Sequence, residues 1–314
     1  MKFLLKLYWF LFILLFNLIC KSQTNLCIDD TSYILNDLNH IIYTISDDSM
    51  GGRAAGSIYE IKSINFLVNE ILKFLPNNYE IIIDEFTYNS YDGTIKAHNI
   101  SVLPKNNKIP IYIICAHYDH LHPGSYYSRE IKNKNQIHPG ADDNASGVSL
   151  AIELFKILLS DKSIDTMYPA PALILLSGHE TGMHGSEEWI CKYKTFYNID
   201  FALNFDMVGR MDDNESILLI RQATNDEVVI KSFFKNYKNN AKKFNINIKY
   251  TNEGFRQTDA YNFFINKIPS YTMSTGIHPD YHRASDTPDK INYQSIYKII
   301  LSLYYQIKVK VVSR

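Results

Sequence analysis

The stretch PALILLSGHETGMHGS, residues 171–186, joins a short uninterrupted apolar run to a cluster of imidazole and carboxylate side chains. A strand without polar alternation is typical of a sheet that helices cover on both faces. The same arrangement recurs in IYIICAHYDH (residues 111–120), and a mainly apolar run precedes Asp206 in IDFALNFDMVG (residues 199–209). Segments with apolar residues at three- and four-residue spacing, which indicate helices, alternate with these runs. We therefore predict an α/β protein in which helices flank both faces of a mostly parallel mixed sheet, as a three-layer sandwich.

Residues 24–314 contain no internal repeat, no low-complexity linker and no break in composition, so we predict a single domain. Within it, the predicted helices are residues 31–45, 56–76, 145–160, 185–194, 225–244, 258–267 and 293–311. The predicted strands are residues 79–88, 98–104, 109–117, 171–178, 199–209, 215–222 and 268–276.

The composition is that of a globular protein. The 314 residues are 46% hydrophobic and 21% charged, which excludes wholesale disorder. A formal net charge of −1 provides no electrostatic reason to expect nucleic acid or an acidic membrane surface as a partner.

The first residues have the pattern of a secretory signal peptide. A basic start (MKFLLK) precedes an apolar core (LYWFLFILLFNLI) and a polar exit (CKSQTN). We predict a signal peptide over residues 1–23 and hence an exported protein, periplasmic or extracellular. The apolar core is shorter than the roughly 20 residues that span a bilayer, so an uncleaved anchor is the weaker interpretation. A lipid on Cys20 is also less favoured, because the bulky Ile19 precedes it.

Three cysteines follow the predicted signal peptide, namely Cys27, Cys115 and Cys191. They allow at most one disulfide, and their spacings match no zinc-ligand pattern. Cys115 lies in the apolar run IYIICAH, where a buried thiol is expected.

Polar side chains follow several predicted strands at the point where each strand ends. In an open α/β sheet these ends form the binding edge. Taken singly, each residue also has a structural explanation; Asp142 and Asp143, for instance, could cap the helix that follows. The residues that meet the criterion are His117, Asp119, His179, Glu180, Asp206, His278 and His282.

The segment HETGMH resembles the zinc motif H-E-x-x-H only superficially. That motif places two histidines one helical turn apart. His179 and His184 are five residues apart, which would turn them about 140° away from each other on a helix. Gly182 also weakens a helix here. Glu180 is therefore better interpreted as one ligand of a site whose other ligands come from other strand ends.

Seven segments together resemble the secreted co-catalytic di-zinc aminopeptidase family, whose relatives include glutaminyl cyclases and transferrin-receptor-like ectodomains. They occur in the order SDDSMGGRAAGS, HNISVLP, AHYDH, GADDNASG, GHETGMHGS, NFDMVGR and GIHPDYHRASDTPDKI, between about Ser46 and Ile291. The resemblance implies the fold of the zinc aminopeptidases and two Zn²⁺ ions bridged by Asp143. It also implies His117 and Asp206 as further ligands of the first ion, and Glu180 and His282 as those of the second.

The resemblance also implies catalytic residues, with one departure from the family pattern. Asp119 is expected to hydrogen-bond the ring of His117 and fix its orientation. The peptidases usually carry two adjacent glutamates after this strand, the first a general base and the second a metal ligand. Here the pair is His179-Glu180, so His179 occupies the place of the base. In TDAYNFF, where family members often have Ser-Asp-His, Asp259 is retained and Ala260 replaces the histidine.

The leading hypothesis is an exported zinc-dependent aminopeptidase that hydrolyses N-terminal residues from peptides through a hydroxide bound to two metals. A second hypothesis is a metal-retaining homologue that is weakly active or has a binding or structural role, because His179 replaces the glutamate. A third is a glutaminyl cyclase. Those relatives generally depart from the peptidase pattern after the bridging aspartate, whereas residues 143–147 (DNASG) follow it.

Overall fold

The computed structural model describes residues 31–91, 93–133, 135–161, 169–223 and 237–312, with side chains up to residue 308. The predicted signal peptide, Cys20 and Cys27 lie outside the described residues. So do residues 224–236, which include most of the predicted helix over 225–244.

A mixed eight-stranded sheet crosses the described part of the chain. Its strands are β1 (Tyr79–Ser90), β2 (Gly93–Pro104), β3 (Ile111–His117), β4 (Ala170–Leu176), β5 (Ile199–Phe205), β6 (Ile217–Arg221), β7 (Asn247–Thr251) and β8 (Ser270–Ser274). They lie in the order β1-β2-β4-β3-β5-β8-β6-β7. Four pairings are parallel (β4-β3, β3-β5, β5-β8 and β6-β7), and β1-β2, β2-β4 and β6-β8 are antiparallel.

Helices cover both faces of this sheet, which confirms the predicted three-layer arrangement. They are α1 (Thr31–Ile45), α2 (Ile58–Leu72), α3 (Gly147–Ser160), α4 (His184–Tyr193), α5 (Tyr237–Lys242), α6 (Asp259–Ile265) and α7 (Tyr293–Val312). Helices α1, α2, α3, α5 and α7 contribute to the larger core, and α4 and α6 to the smaller one. Along β3, Tyr112 and Ile114 belong to the larger core, whereas Ile113 and Cys115 belong to the smaller.

Strands β3 and β4 are apolar up to His117 and Leu176 because both of their faces are covered. Every residue of β3 and β4 is buried. Since β3, β4, β5 and β8 run parallel, their carboxyl ends meet at one edge of the sheet. The polar residues that follow these strands are thereby brought close together.

The structure also differs from the sequence-based prediction. Strand β7 was not predicted; its residues NIKYT are polar at every second position, as an edge strand allows. The predicted strand over 199–209 ends at Phe205. The chain leaves the sheet there because the backbone N–H groups of Met207 and Gly209 donate to the side chains of Asn144 and Asp142.

Cys115 is buried, as predicted, and Cys191 is exposed; neither forms a disulfide within the described residues. Among the described helices, none combines the length and apolar character needed to cross a bilayer.

Candidate metal centre

Side chains from five separate segments meet at the carboxyl edge of the sheet. His117 ends β3, Asp206 directly follows β5, and Glu180 lies in the loop after β4. Asp143 lies in the π-helical turn Ala141–Ser146 before α3, and His282 in the loop after β8. We call these five residues the polar cluster. They are the five residues for which the sequence predicts metal-ligand roles.

The distances divide the polar cluster into two groups that share Asp143. Nε2 of His117 lies 3.5 Å from Oδ1 of Asp143 and 3.8 Å from Oδ1 of Asp206. Nε2 of His282 lies 3.3 Å from Oδ2 of Asp143 and 3.0 Å from Oε2 of Glu180. Asp143 thus presents one oxygen to each histidine, which is the arrangement expected of a carboxylate that bridges two ions.

The hydrogen bonding of the polar cluster fits a metal site. Nε2 of His117, Oδ2 of Asp143 and Nε2 of His282 are buried without a hydrogen-bond partner in the described residues. Buried polar atoms are rarely left in this state. Nε2 of His282 lies close to Oε2 of Glu180, but the angle between them is not that of a hydrogen bond. Two imidazoles and three carboxylates are suitable ligands for Zn²⁺.

Backbone carbonyls orient the two histidines. Nδ1 of His117 lies 3.2 Å from the carbonyl oxygen of Asp119, and Nδ1 of His282 lies 3.0 Å from that of Tyr127. Such contacts fix the ring and leave Nε2 for a metal.

The predicted role of Asp119 requires a correction. Its carboxylate lies 3.8 Å from Nδ1 of His117, beyond hydrogen-bond distance. The carboxylate oxygens instead accept the backbone N–H groups of His179 (3.2 Å) and Glu180 (3.4 Å). The carbonyl of Asp119 is closer to the ring than its side chain is. Asp119 therefore supports the loop that carries Glu180.

Asn144 ties the turn that carries Asp143 to the neighbouring strands. Its amide donates to the carbonyl of Phe205 (2.8 Å) at the end of β5 and to that of His117 (3.3 Å). Its Oδ1 accepts the N–H groups of Met207 and Gly147. The peptide bond between Asp143 and Asn144 is cis.

Arg53 is a buried residue that sequence analysis did not single out, although it lies in the segment SDDSMGGRAAGS. Its guanidinium donates only to backbone carbonyls, those of Ile45, Tyr118, Pro139, Gly140 and Asp143. Burial lowers the pKa of Arg53 to about 10, although Asp143 and Asp119 favour its charge. One side chain thus joins the loop after β3 to the turn before α3.

His120 is a second residue that was missed, although it ends the quoted segment AHYDH. Its ring is buried, and its Nδ1 lies 2.7 Å from Oε1 of Glu180. The same Nδ1 lies 3.9 Å from Oδ2 of Asp143, so it contacts Glu180 in preference. His120 therefore engages one oxygen of Glu180 and leaves Oε2 on the side of His282.

His179 lies beside the polar cluster. Its ring stacks on that of His117, with centroids 3.8 Å apart and planes 7° apart. Its Nδ1 lies 2.8 Å from Oδ2 of Asp259, a fully buried residue at the start of α6. Burial opposes protonation of His179, but Asp259 together with the charges of Asp206 and Glu180 raises the pKa of His179 well above the usual value.

Two further histidines of the quoted segments, His184 and His278, make their contacts outside the polar cluster. His184 begins α4, stacks on Tyr88 with centroids 4.1 Å apart, and contacts the carbonyl of Thr181. His179 and Glu180 precede that helix, so an H-E-x-x-H helix is excluded. Nε2 of His278 lies 3.2 Å from Oδ2 of Asp142.

Opposite charges stabilise one another within the polar cluster. Burial opposes ionisation of Glu180, but His282 and His120 hold the pKa of its carboxyl well below the usual range. Burial likewise opposes protonation of His282, yet Glu180 and Asp143 raise its pKa to about 11. A metal that binds these nitrogens must displace protons, so metal uptake is coupled to proton release.

The comparison with protein families identifies the family of the chain. Residues 99–305, which include the whole polar cluster, match the family described as "Peptidase family M28". A probable zinc metalloprotease of Pyricularia oryzae is 32% identical over 122 residues (37% of this chain), and one of Pyrenophora tritici-repentis is 34% identical over 104 residues (32% of this chain). The chain spans about a fifth of the length of these curated relatives (22% and 19%). The chain therefore belongs to peptidase family M28, a zinc peptidase family.

Solved structures share the fold at low sequence identity. An aminopeptidase of Legionella pneumophila superposes with a TM-score of 0.68 at 18% identity, covering 91% of this chain and 76% of that one. A glutaminyl cyclase of Porphyromonas gingivalis has a TM-score of 0.70 at 15% identity, covering 88% and 98%. A Zn-dependent exopeptidase of Parabacteroides distasonis has a TM-score of 0.69 at 15% identity, covering 87% and 97%. The fold is thus shared by peptidases and cyclases.

Proposed function

We propose that this member of peptidase family M28 is an exported zinc aminopeptidase that removes N-terminal residues from peptides. The observation that carries this proposal is the convergence of the five residues of the polar cluster, with one oxygen of Asp143 towards each histidine. Export is inferred from the N-terminal sequence alone.

Two zinc ions would be held by the polar cluster, one by His117 and Asp206 and one by Glu180 and His282, with Asp143 shared. When bound, they would supply Lewis acidity for the scissile carbonyl and a means of lowering the pKa of water. The chain's own contribution is to orient these ligands through Asp119, His120 and Tyr127, and to place His179 beside them.

Purified, zinc-loaded protein should test the proposal directly. We expect it to release the chromophore from aminoacyl-nitroanilides and to cleave dipeptides, but to leave N-acetylated peptides intact, because a free N-terminus is required. A Glu180→Ala variant should lose both activity and one zinc ion. Zinc-loaded parent protein that leaves all of these substrates intact at neutral and alkaline pH would refute an aminopeptidase.

A second candidate is a metal-retaining homologue with little turnover. His179 favours it, because the related peptidases are expected to carry a glutamate there. A silent parent protein whose His179→Glu variant gains large activity would favour this candidate. The same preparations can be tested with a peptide that begins with glutamine, since formation of pyroglutamate would assign a glutaminyl cyclase instead.

A further inference from the structure

His179 and Asp259 form a buried pair at the edge of the polar cluster. Their Nδ1 to Oδ2 distance is 2.8 Å, and Asp259 is fully buried. The position of Asp259 is fixed from the sheet, because Oγ1 of the preceding Thr258 lies 2.8 Å from Oγ1 of Thr272 on β8. The residue before Asp259 is thus held against the sheet beside the imidazole.

A metal-ligand role for His179 fits the distances but not the ring orientation. Ring nitrogens of His117 and His179 and an oxygen of Asp206 lie within 4.8 Å of one another. However, the two rings are stacked, with planes only 7° apart. Zinc lies about 2.1 Å from an imidazole nitrogen, close to the plane of that ring. One ion cannot lie in two stacked planes, so a metal on His117 leaves His179 outside its coordination.

The remaining nitrogen of His179 is available for chemistry. The side chain is 12% exposed, and the contact with Asp259 is the one hydrogen bond that the described residues make to its ring. In the neutral ring, a carboxylate that accepts from Nδ1 fixes the tautomer and leaves the lone pair on Nε2. In the Ser-His-Asp triad an aspartate prepares a histidine as a base in the same way. Zinc ions bound to the polar cluster would oppose the protonation of this ring that Asp259 favours.

We propose, on the premise that the chain is a peptidase, that Asp259 is a positioning residue that holds His179 in the Nδ1–H form, with Nε2 available to the polar cluster. A carboxylate–imidazole pair thereby stands where the resemblance places a single glutamate.

The pair can carry the proton of a hydrolytic step. The oxygen of the attacking water bonds to the scissile carbonyl carbon while one water proton passes to Nε2 of His179. The C–N bond then breaks, and that proton passes from Nε2 to the leaving amine nitrogen. Asp259 keeps Nδ1 protonated throughout and stabilises the imidazolium that forms between the two transfers.

The test combines kinetics with a tautomer measurement on zinc-loaded protein. For Asp259→Asn we expect kcat to fall roughly 10²–10⁴-fold, the size of general acid–base assistance, with KM and zinc affinity changed less than about threefold. Two-bond ¹⁵N–¹H correlations on histidine-labelled protein should report Nδ1–H for His179 in the parent and a shift towards Nε2–H in the variant. The His179→Gln variant identifies the signal.

Asp84→Asn is the matched control, because the carboxylate of Asp84 on β1 also accepts a side-chain hydrogen bond, from Tyr193, and pairs with Lys192, neither of which belongs to the polar cluster. It should leave kcat and the His179 signal unchanged. Two results would overturn the proposal: an Nε2–H tautomer in the parent, or a loss of activity in Asp259→Asn that follows a loss of zinc. If the parent binds zinc yet cleaves no peptide, the proposed function fails, while the tautomer still decides whether Asp259 positions His179.

Discussion

At the scale of single residues, three imidazoles in and beside the polar cluster share one arrangement. An oxygen atom of the protein meets Nδ1 in each, from the carbonyl of Asp119 in His117, the carbonyl of Tyr127 in His282 and the carboxylate of Asp259 in His179. Nε2 is thereby the atom left for chemistry. His120 has the same arrangement, but the oxygen that meets its Nδ1 belongs to Glu180, which is itself a proposed metal ligand. His120 therefore contacts a proposed metal ligand but is not itself proposed as a ligand.

We therefore predict that His120→Gln weakens zinc binding at the Glu180–His282 site roughly 10–100-fold, the usual effect of losing a contact to a ligand. The site shared by His117 and Asp206 should keep its affinity. Zinc titration against a chromophoric chelator measures both. His122→Gln is the control, since the contact of His122 with the carbonyl of Pro123 does not involve the polar cluster. Equal weakening of both sites would indicate a general loss of structure instead.

At the scale of elements, loops at the edge of the sheet are held by side chains from distant segments. Arg53 precedes α2, yet it joins the loop after β3 to the turn that carries Asp143. Asp286 performs a similar task, because its Oδ2 accepts the backbone N–H groups of Asp142 and Asp143. The turn therefore depends on contacts that no local pattern encodes.

Replacing Arg53 by lysine should be strongly destabilising. An ammonium group has three donors, so it cannot satisfy the buried carbonyls that the guanidinium fork reaches. We expect a loss of about 3 kcal/mol or more in the free energy of unfolding, because each unsatisfied buried acceptor costs about 1–3 kcal/mol. Urea unfolding measures it. The exposed Arg256→Lys variant should stay within about 0.5 kcal/mol of the parent.

Helix α3 carries a buried carboxylate whose titration should affect stability. Burial raises the pKa of Glu153 to about 7, although Lys156 opposes the shift. Between the unfolded value of 4.5 and this value, the folded chain binds more protons than the unfolded chain, so stability falls as the pH rises. The fall should be roughly 3 kcal/mol from about pH 4 to about pH 8.

Urea unfolding of metal-free protein across this range tests the prediction. The Glu153→Gln variant should lose that part of the pH dependence, whereas Glu187→Gln, a change on exposed α4 surface, should keep it. A parent and a Glu153→Gln variant with the same slope would contradict the assignment.

At the scale of the whole molecule, the polar cluster exists only because parallel strands end at one edge of the sheet. His117 lies at the end of β3, Glu180 follows β4 and Asp206 follows β5. Asp143 comes from the turn before α3, and His282 from the segment after β8. Folding thus assembles the cluster. An ion that binds the cluster therefore binds the folded chain more tightly than the unfolded chain.

Zinc should therefore stabilise the fold as a whole. At a free zinc concentration of 100 times Kd, one site adds about 2.7 kcal/mol to the free energy of unfolding. Thermal unfolding with zinc and with a chelator should differ accordingly. Asp143→Ala should greatly reduce this difference, because both proposed sites lose their shared carboxylate. A parent protein with the same Tm in both conditions would argue against a metal in the polar cluster.

Much of the fold could be predicted from local pattern, for physical reasons that particular elements show. β3 and β4 are recognisable because both faces are buried and their residues are apolar up to His117 and Leu176. β7 lacks that signal, since an edge strand with partly exposed residues tolerates a polar sequence. Likewise, the hydrogen-bond partners of Asp119 lie in the loop after β4, far from it along the chain.

By itself, the sequence determined the α/β class, because burial periodicity is written locally, and the resemblance of its segments to the zinc aminopeptidases implied the five members of the polar cluster. Only the tertiary structure decided that Arg53 and His120 support that cluster, and that Asp259 is the partner of His179. The reason is distance along the chain. A contact between residues 80 positions apart, such as His179 and Asp259, leaves no trace in either segment.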